Sequence, residues 1–524
     1  MMHLKNIVER KPGFFLLILL VVHTILTLVY VQQQPLTNDE SDYIEYAKRW
    51  VKGQPDKVYD VDDSKTPIIA IAWLPRVIKQ IIKPDLQLND WGRSDQLMGR
   101  YVMIVFFMLV FMYLYWFSKA FYGNYGWLLP VLLLLIDPLF MAFSPIVTSD
   151  VASVFVLLAS CYHYFKFCST KSYKQFLLAA FFTGLALVTK SSMVFLPFIF
   201  LIIYAIRLFT KQAFVNTSKW MFVWGFVFVC TVWLVVNVSF YFHHSFYSWG
   251  SIELKSTSMK NLIQTFSFLK PLPTLLPEPF IKGFDLLQYH KEVGPFIANL
   301  PYKGVFILNQ KFNTGVWYYY FVTGFFKFTI GFIFFAVCAL FVGLKSFKLQ
   351  AFSNKYIFIV VPFLVYGCML TFVNPFQQGI RHAMILLPFV FLAIGYLPAY
   401  FSNNFKKGKW VISGLVVYAF ISAASFYPDI MPYTNEFLGD KSKLFNYLAE
   451  YNYRPSDIPR DVQPFLEKNT NFKIAPSKPE KGKFIIPGAF VYNSTYEVYS
   501  NYAWLKNYQP VGHYRYVFLL YDIR

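Results

Sequence analysis

Hydrophobic stretches of membrane-spanning length recur along this 524-residue chain, and nothing else in the sequence limits the fold as much. Inside lipid no water is available, so every backbone N–H and C=O must be paired within the chain. A span of roughly 30 Å therefore needs about 20 apolar residues in a helix, or a closed barrel. Runs such as FFLLILLVVHTILTLVYV, 14–31, are continuous rather than alternating and so predict helices. The pattern places eleven spans near 13–32, 98–118, 124–143, 149–166, 175–190, 191–208, 220–242, 317–344, 356–374, 383–401 and 410–427. A chain that is 56% hydrophobic and only 15% charged is too apolar for an ordinary soluble domain.

The net charge of +20 invites a nucleic-acid partner, but the cations follow the predicted membrane instead. With the N-terminus cytoplasmic, the inner segments hold sixteen lysines and arginines, from Lys5 to Lys409, against the single carboxylate Glu9. The positive-inside rule accounts for that excess. No basic stripe with interleaved aromatics remains, which argues against nucleic acid. An odd number of spans puts the C-terminus outside. The expected organisation is a transmembrane domain over 1–427, with large outer loops at 33–97 and 243–316, and a small soluble α/β domain over 428–524. The first hydrophobic stretch has no small-residue cleavage site and is expected to stay as a signal anchor. The five cysteines show no metal-ligand spacing and are expected to pack as small apolar residues.

Ionisable residues collect at the outer helix ends and in the outer loops. In the first loop Asp39, Asp42, Tyr43 and Tyr46 fall at i, i+3, i+4 and i+7, one face of a helix. Thr37 and Glu40 also have capping-box spacing, so a helix start and a functional face coincide there. Lys65 precedes a proline later in the loop, and Arg100 opens the second span. Asp150 stands where the fourth span begins, as an N-cap or as a paired functional acid, since a carboxylate so close to lipid is costly unless paired or used. Lys190 separates two apolar runs, and Arg381 and His382 stand at the mouth of a late span.

In this order the segments resemble the lipid-carrier-dependent glycosyltransferases of the GT-C superfamily, close to the dolichyl-phosphate-mannose protein mannosyltransferases and the aminoarabinose transferases. The similarity rests on Asp39, Glu40, Tyr43 and Ala47; on Lys65 and Pro67; on Arg100; and on the elements ending in Asp150 and carrying Lys190. It continues through 275–285, 315–328, 378–388 and 427–440. The chain departs from the family at 451–461, where YNYRPSDIPRD replaces an Asp-Trp-Gly-Gln element. Its loop 243–316 is also too short for the β-trefoil insert of the eukaryotic enzymes, which favours a bacterial type in an inner (plasma) membrane.

The resemblance implies transfer of a sugar from a polyprenyl-phosphate donor to an acceptor hydroxyl on a protein, lipid or glycan at the non-cytoplasmic face. Asp39 is the expected base, with Glu40 and Asp150 supporting it or orienting the acceptor. Lys65, Arg100, Lys190, Arg381 and His382 are the expected phosphate ligands. A divalent cation, if used, would fall to Asp39 and Asp150. A lipid-linked sugar flippase or transporter, and a glycan ligase or polymerase, are the competing readings.

Overall fold

The computed structural model describes residues 12–34, 37–58, 62, 65–85, 92–123, 126–212, 218–293, 296–297, 300–301, 305–345, 352–374, 377, 379–448, 458–492 and 497–524. The chain is mostly helical. Helix α1 covers Pro12–Gln33, α2 Asn38–Val51, α3 Arg93–Tyr122, α4 Leu128–Ile136 and α5 Pro138–Phe143. Then come α6 at Asp150–Thr170, α7 at Tyr173–Leu187, α8 at Leu196–Phe209, α9 at Ser218–Ser239 and α10 at Glu278–Val293. The series ends with α11 at Tyr319–Lys327, α12 at Ile330–Lys345, α13 at Ile357–Cys368, α14 at Leu387–Ile394 and α15 at Gly408–Ala424.

Among the described residues seven helical segments are long and apolar enough to cross a membrane, and α7, α12 and α15 are shorter apolar helices. The expected span 124–143 is divided. Pro138 lacks an N–H and disfavours helical backbone in the residue before it, so α4 stops there. Asp137 then caps the restart, its carboxylate accepting from the N–H groups of Leu139 and Phe140 at 3.0 Å each. The expected span 317–344 is divided too, between α11 and α12, where Thr329 Oγ1 accepts the Phe332 N–H at 3.3 Å. Residues 124–125 and 346–351, at the edges of expected inner loops, lie outside the described residues.

The most enclosed of these segments is α6, with 89% of its apolar stretch buried inside the protein. Small residues let its neighbours approach. The hydroxyls of Ser160 and Thr183 meet at 2.7 Å between α6 and α7. On the far side of α7, a Cβ built on Gly184 would stand 2.6 Å from Val235 of α9. Close backbone approach and interhelical hydroxyl bonds are what hold helices together when lipid is the solvent.

The long loop carries two short strand pairs, β1 (Phe296–Ile297) with β2 (Leu300–Pro301) and β3 (Val305–Ile307) with β4 (Gln310–Phe312). The C-terminal part has a four-stranded sheet of β5 (Phe472–Ile474), β6 (Gly482–Pro487), β7 (Gly512–Tyr514) and β8 (Phe518–Ile523) in the order β5-β6-β8-β7. β5 runs parallel to β6, and the other pairs are antiparallel. Successive β6 side chains serve opposite faces: Phe484 and Ile486 join one cluster, while Ile485 packs with Val462 and Phe518. The aromatic-rich stretch 487–523 mixes strand-like alternation with helix, as a small α/β core does, its helical turns falling at Gly488–Tyr492 and Glu497–Asn507. Aromatic spacing there serves packing on the sheet rather than strand alternation. Residues 493–496 and most of 451–461 lie outside the described residues.

The sheet does not stand apart. Its larger cluster takes in Val305 and Ile307 of the long loop and Tyr319 of α11. Arg515 Nε donates to Asp429 Oδ1 at 2.8 Å and Arg515 Nη2 to the Gln33 carbonyl at 2.7 Å. Gln34 Nε2 completes the tie through Asp429 Oδ1 and the Pro428 carbonyl, at 3.2 and 2.8 Å.

Replacing Gly184 with valine should lower the stability of detergent-solubilised protein by about 1–3 kcal/mol, because α7 and α9 must separate. Gly343→Ala, at a position with nothing within 4 Å, should leave the melting temperature unchanged or slightly raised.

Candidate active site

The start of α2, the bend 144–149, the turn after α7 and the 3-10 turn Ile380–Leu386 meet at one end of the bundle, the end where α1 finishes. Two ionic groups form there. One is sealed and the other is open.

The sealed group is Glu40 with Arg100. Arg100 Nε donates to Glu40 Oε1 at 2.8 Å and Nη2 to Oε2 at 2.5 Å, a two-pronged pair no more than 1% exposed on either side. Glu40 also accepts the N–H groups of Thr37 at 2.9 Å and Val147 at 3.2 Å, and Arg100 Nη1 reaches the Gln34 carbonyl at 3.3 Å. The expected capping arm from Glu40 to Thr37 is therefore present, and the same carboxylate joins three segments. Burial would raise the Glu40 carboxyl. The guanidinium of Arg100, with the Thr37 and Val147 N–H bonds, outweighs it and holds Glu40 below the usual carboxylate range.

The open group is built around Arg381. Its Nη2 donates to Asp39 Oδ2 at 2.9 Å, and its Nε lies 3.9 Å from Asp150 Oδ2 without making a hydrogen bond. Lys190 Nζ donates to Asp150 Oδ1 at 2.6 Å and Thr148 Oγ1 to Asp150 Oδ2 at 3.1 Å. Asp150 is thus not an N-cap, for Ser149 occupies that position. It organises two cations instead. His382 interacts electrostatically with Lys190, Arg381 and Asp150 and belongs to the same cluster. Asp39 has 17% of its side chain exposed against 6% for Asp150. Among the described residues Asp39 Oδ2 has one partner, whereas Asp150 is held by several.

Lys65 is buried, its ammonium 4.8 Å above the Tyr43 ring. The next residue ties that loop to the turn carrying Lys190, since Thr66 Oγ1 donates to the Thr189 carbonyl at 2.8 Å. The expected acidic and phenolic face of α2 divides: Tyr43 and Tyr46 are buried, while Asp42 is exposed. Among the described residues no third His, Cys, Asp or Glu joins Asp39 and Asp150 at metal-ligand distances.

Residues with no obvious charge signal complete the site. Gly379 adopts φ +115°, a conformation that disfavours any side chain, and its N–H donates to the Tyr319 hydroxyl at 2.8 Å. Gln377 binds both the N–H and the C=O of Val316. Tyr320 feels the charges of both Arg381 and Asp150. Polar groups in the otherwise apolar GVWYYYFVTG were the available hint.

An apolar groove of about 800 Å³ opens beside this end, lined among others by Leu187, Val194, Trp224, Phe228, Phe280 and Phe284. Leu187 and Val194 flank Lys190 on its two sides in the chain.

The arrangement defines a helical membrane protein with an acid and cation cluster at one end of its bundle. Residues 75–237 match the family described as dolichyl-phosphate-mannose-protein mannosyltransferase, a stretch that carries Arg100, Asp150 and Lys190. The chain is similar to the GT-C lipid-carrier-dependent glycosyltransferases. No curated protein matches it. Among solved structures it resembles the Archaeoglobus fulgidus oligosaccharyltransferase in the apo form, at 12% identity over 79% of this chain with a TM-score of 0.48. The match with that enzyme in complex with an inhibitory peptide and a dolichol-phosphate is at 11% identity over 78% of this chain, TM-score 0.48. The chain spans 54–55% of the length of these archaeal proteins. ArnT from Cupriavidus metallidurans bound to undecaprenyl phosphate matches at 12% identity over 97% of each chain, TM-score 0.34.

Arg100→Met should cost about 3–5 kcal/mol by leaving Glu40 buried and uncompensated. Because the folded-state pKa of Glu40 is depressed, its contribution is complete above the ordinary carboxylate pKa and is lost as pH falls through the lower folded value. Thermal unfolding of wild type against pH should show this loss on acidification, and the Glu40→Gln variant should show less of it.

Proposed function

We propose that this protein is a membrane glycosyltransferase that moves a sugar from a polyprenyl-phosphate donor to an acceptor hydroxyl on the non-cytoplasmic face. One juxtaposition carries the reading: Lys190 of the Asp39, Arg381, Asp150 and Lys190 cluster stands in the chain between Leu187 and Val194, which line an apolar groove. A polyprenyl phosphate has the same two parts, a long apolar tail and an anionic head.

With the tail in the groove, Arg381 and Lys190 receive the phosphate, assisted by His382 and by Lys65. Arg381 suits the task because its planar fork can hold two oxygens. Asp150 keeps both cations in place between turnovers. Asp39, the more accessible carboxylate, takes the proton from the acceptor hydroxyl as its oxygen attacks the anomeric carbon. The C–O bond to phosphate breaks, and the electron pair leaves with the phosphate onto the waiting cations. A phosphate is a good leaving group and needs no general acid. Single displacement inverts the anomeric centre. Glu40 and Arg100, sealed from solvent, act as positioning residues for Asp39 rather than as groups touching substrate. This scheme needs no metal.

With purified donor and a competent acceptor, the wild-type protein should release free polyprenyl phosphate, and Asp39→Asn should slow turnover about 10²- to 10⁴-fold with an unchanged melting temperature. Undiminished turnover in that variant removes Asp39 as base, and donor that is bound but never consumed favours a flippase. Arg381→Lys should lower kcat by about 10²- to 10³-fold if bidentate support of the leaving phosphate is used. NMR of the product from a β-linked donor should show an α-linkage.

A further inference from the structure

We propose that Asp56, His243 and His244 form a binding site for a divalent transition ion of the zinc type, separate from the candidate active site, that clamps the first long loop to the segment after α9. One potential ligand atom from each of the three lies within 4.8 Å of the others. Two imidazoles and one carboxylate, with water in the fourth position, are a donor set that suits zinc and poorly suits magnesium or calcium, which prefer all-oxygen sites.

The surroundings are organised as such a site requires. His243 Nε2 is 3.1 Å from Asp56 Oδ2, close to the roughly 3.3 Å between neighbouring ligands of a tetrahedral ion with bonds of about 2.0–2.1 Å. That nitrogen is buried and makes no hydrogen bond. His244 Nδ1 lies 2.6 Å from Glu278 Oε2, and Lys282 Nζ holds the other Glu278 oxygen at 2.8 Å. A carboxylate on one imidazole nitrogen orients the ring and makes its other nitrogen, Nε2, the better ligand.

The backbone supplies an independent indication. Tyr241, Phe242, His244 and Phe246 all have positive φ, of 56°, 54°, 53° and 70°. Four non-glycine residues in that region within six positions are costly, and such strain gathers where a ligand is clamped. The two segments are already docked: Trp50 Nε1 donates to the Ser239 carbonyl at 2.9 Å and the Tyr241 hydroxyl to the Trp50 carbonyl at 3.2 Å. Asp56 is the exposed member of the three, with 54% of its side chain open.

The test uses untagged full-length protein in detergent, stripped of metal and then equilibrated with zinc. Zinc content is read by elemental mass spectrometry and thermal stability by unfolding with and without zinc. One zinc per chain is expected for the wild type, with a raised melting temperature. Asp56→Asn, His243→Gln and His244→Gln should each lose the zinc and the zinc-dependent shift while matching the metal-free wild type in melting temperature. Asp39→Asn and Asp150→Asn should keep both. Failure of the wild type to bind zinc, retention by the three loop variants, or loss in Asp39→Asn and Asp150→Asn would each overturn the proposal. None of these readouts depends on glycosyl transfer.

Discussion

The buried pair of Glu40 and Arg100 is the interaction on which the rest of this end of the molecule depends. Taking two charges out of water costs several kcal/mol per ion, and the cost is offset only where geometry and further hydrogen bonds are good. Here the guanidinium meets the carboxylate on two oxygens, and two backbone N–H groups complete it. Because those N–H groups belong to Thr37 and Val147, one side chain fixes the start of α2 against α3 and the bend before α6. Asp39 is the neighbour of Glu40 and Asp150 lies three residues beyond Val147, so the pair helps set the distance between the two candidate carboxylates.

The C-terminal part supports the same point from the other side. Arg515 holds Asp429 and the end of α1, Gln34 binds Asp429, and the Gln34 carbonyl accepts from Arg100. A continuous set of polar contacts therefore runs from the β7–β8 turn to Glu40. Arg515 and Tyr516 adopt positive φ, so that turn is held in a conformation costly for residues with side chains. The expected division at 427/428 falls after α15, but the contacts across it are extensive, and the part beyond it acts as a brace.

Cations and apolar surface are divided at the open cluster in a way that suits an amphiphilic ligand. Lys190 stands between Leu187 and Val194, so the turn that places an ammonium beside Asp150 also lines the groove. Helix α7 must end at that level for this to happen, and the short α7 does.

Much was legible in the sequence because lipid imposes a length and a composition on each span. All eleven apolar segments correspond to helical structure, though not all are single helices of spanning length. The ionisable residues at helix ends were legible for the same reason: charge beside lipid is expensive and therefore informative. The pairings were not. Nothing in the local sequence says that Arg100 belongs to Glu40, sixty residues away, or that Arg381 lies between Asp39 and Asp150. Such contacts depend on how helices pack. Tyr319, Gln377 and Gly379 were missed as supporting residues because their roles are backbone contacts made after folding. The sequence by itself determined a helical membrane protein with its acids and cations at helix ends, since periodicity and solvation act locally. Tertiary structure alone decided which carboxylate is sealed and which stays open, because burial and partner are properties of the assembled bundle.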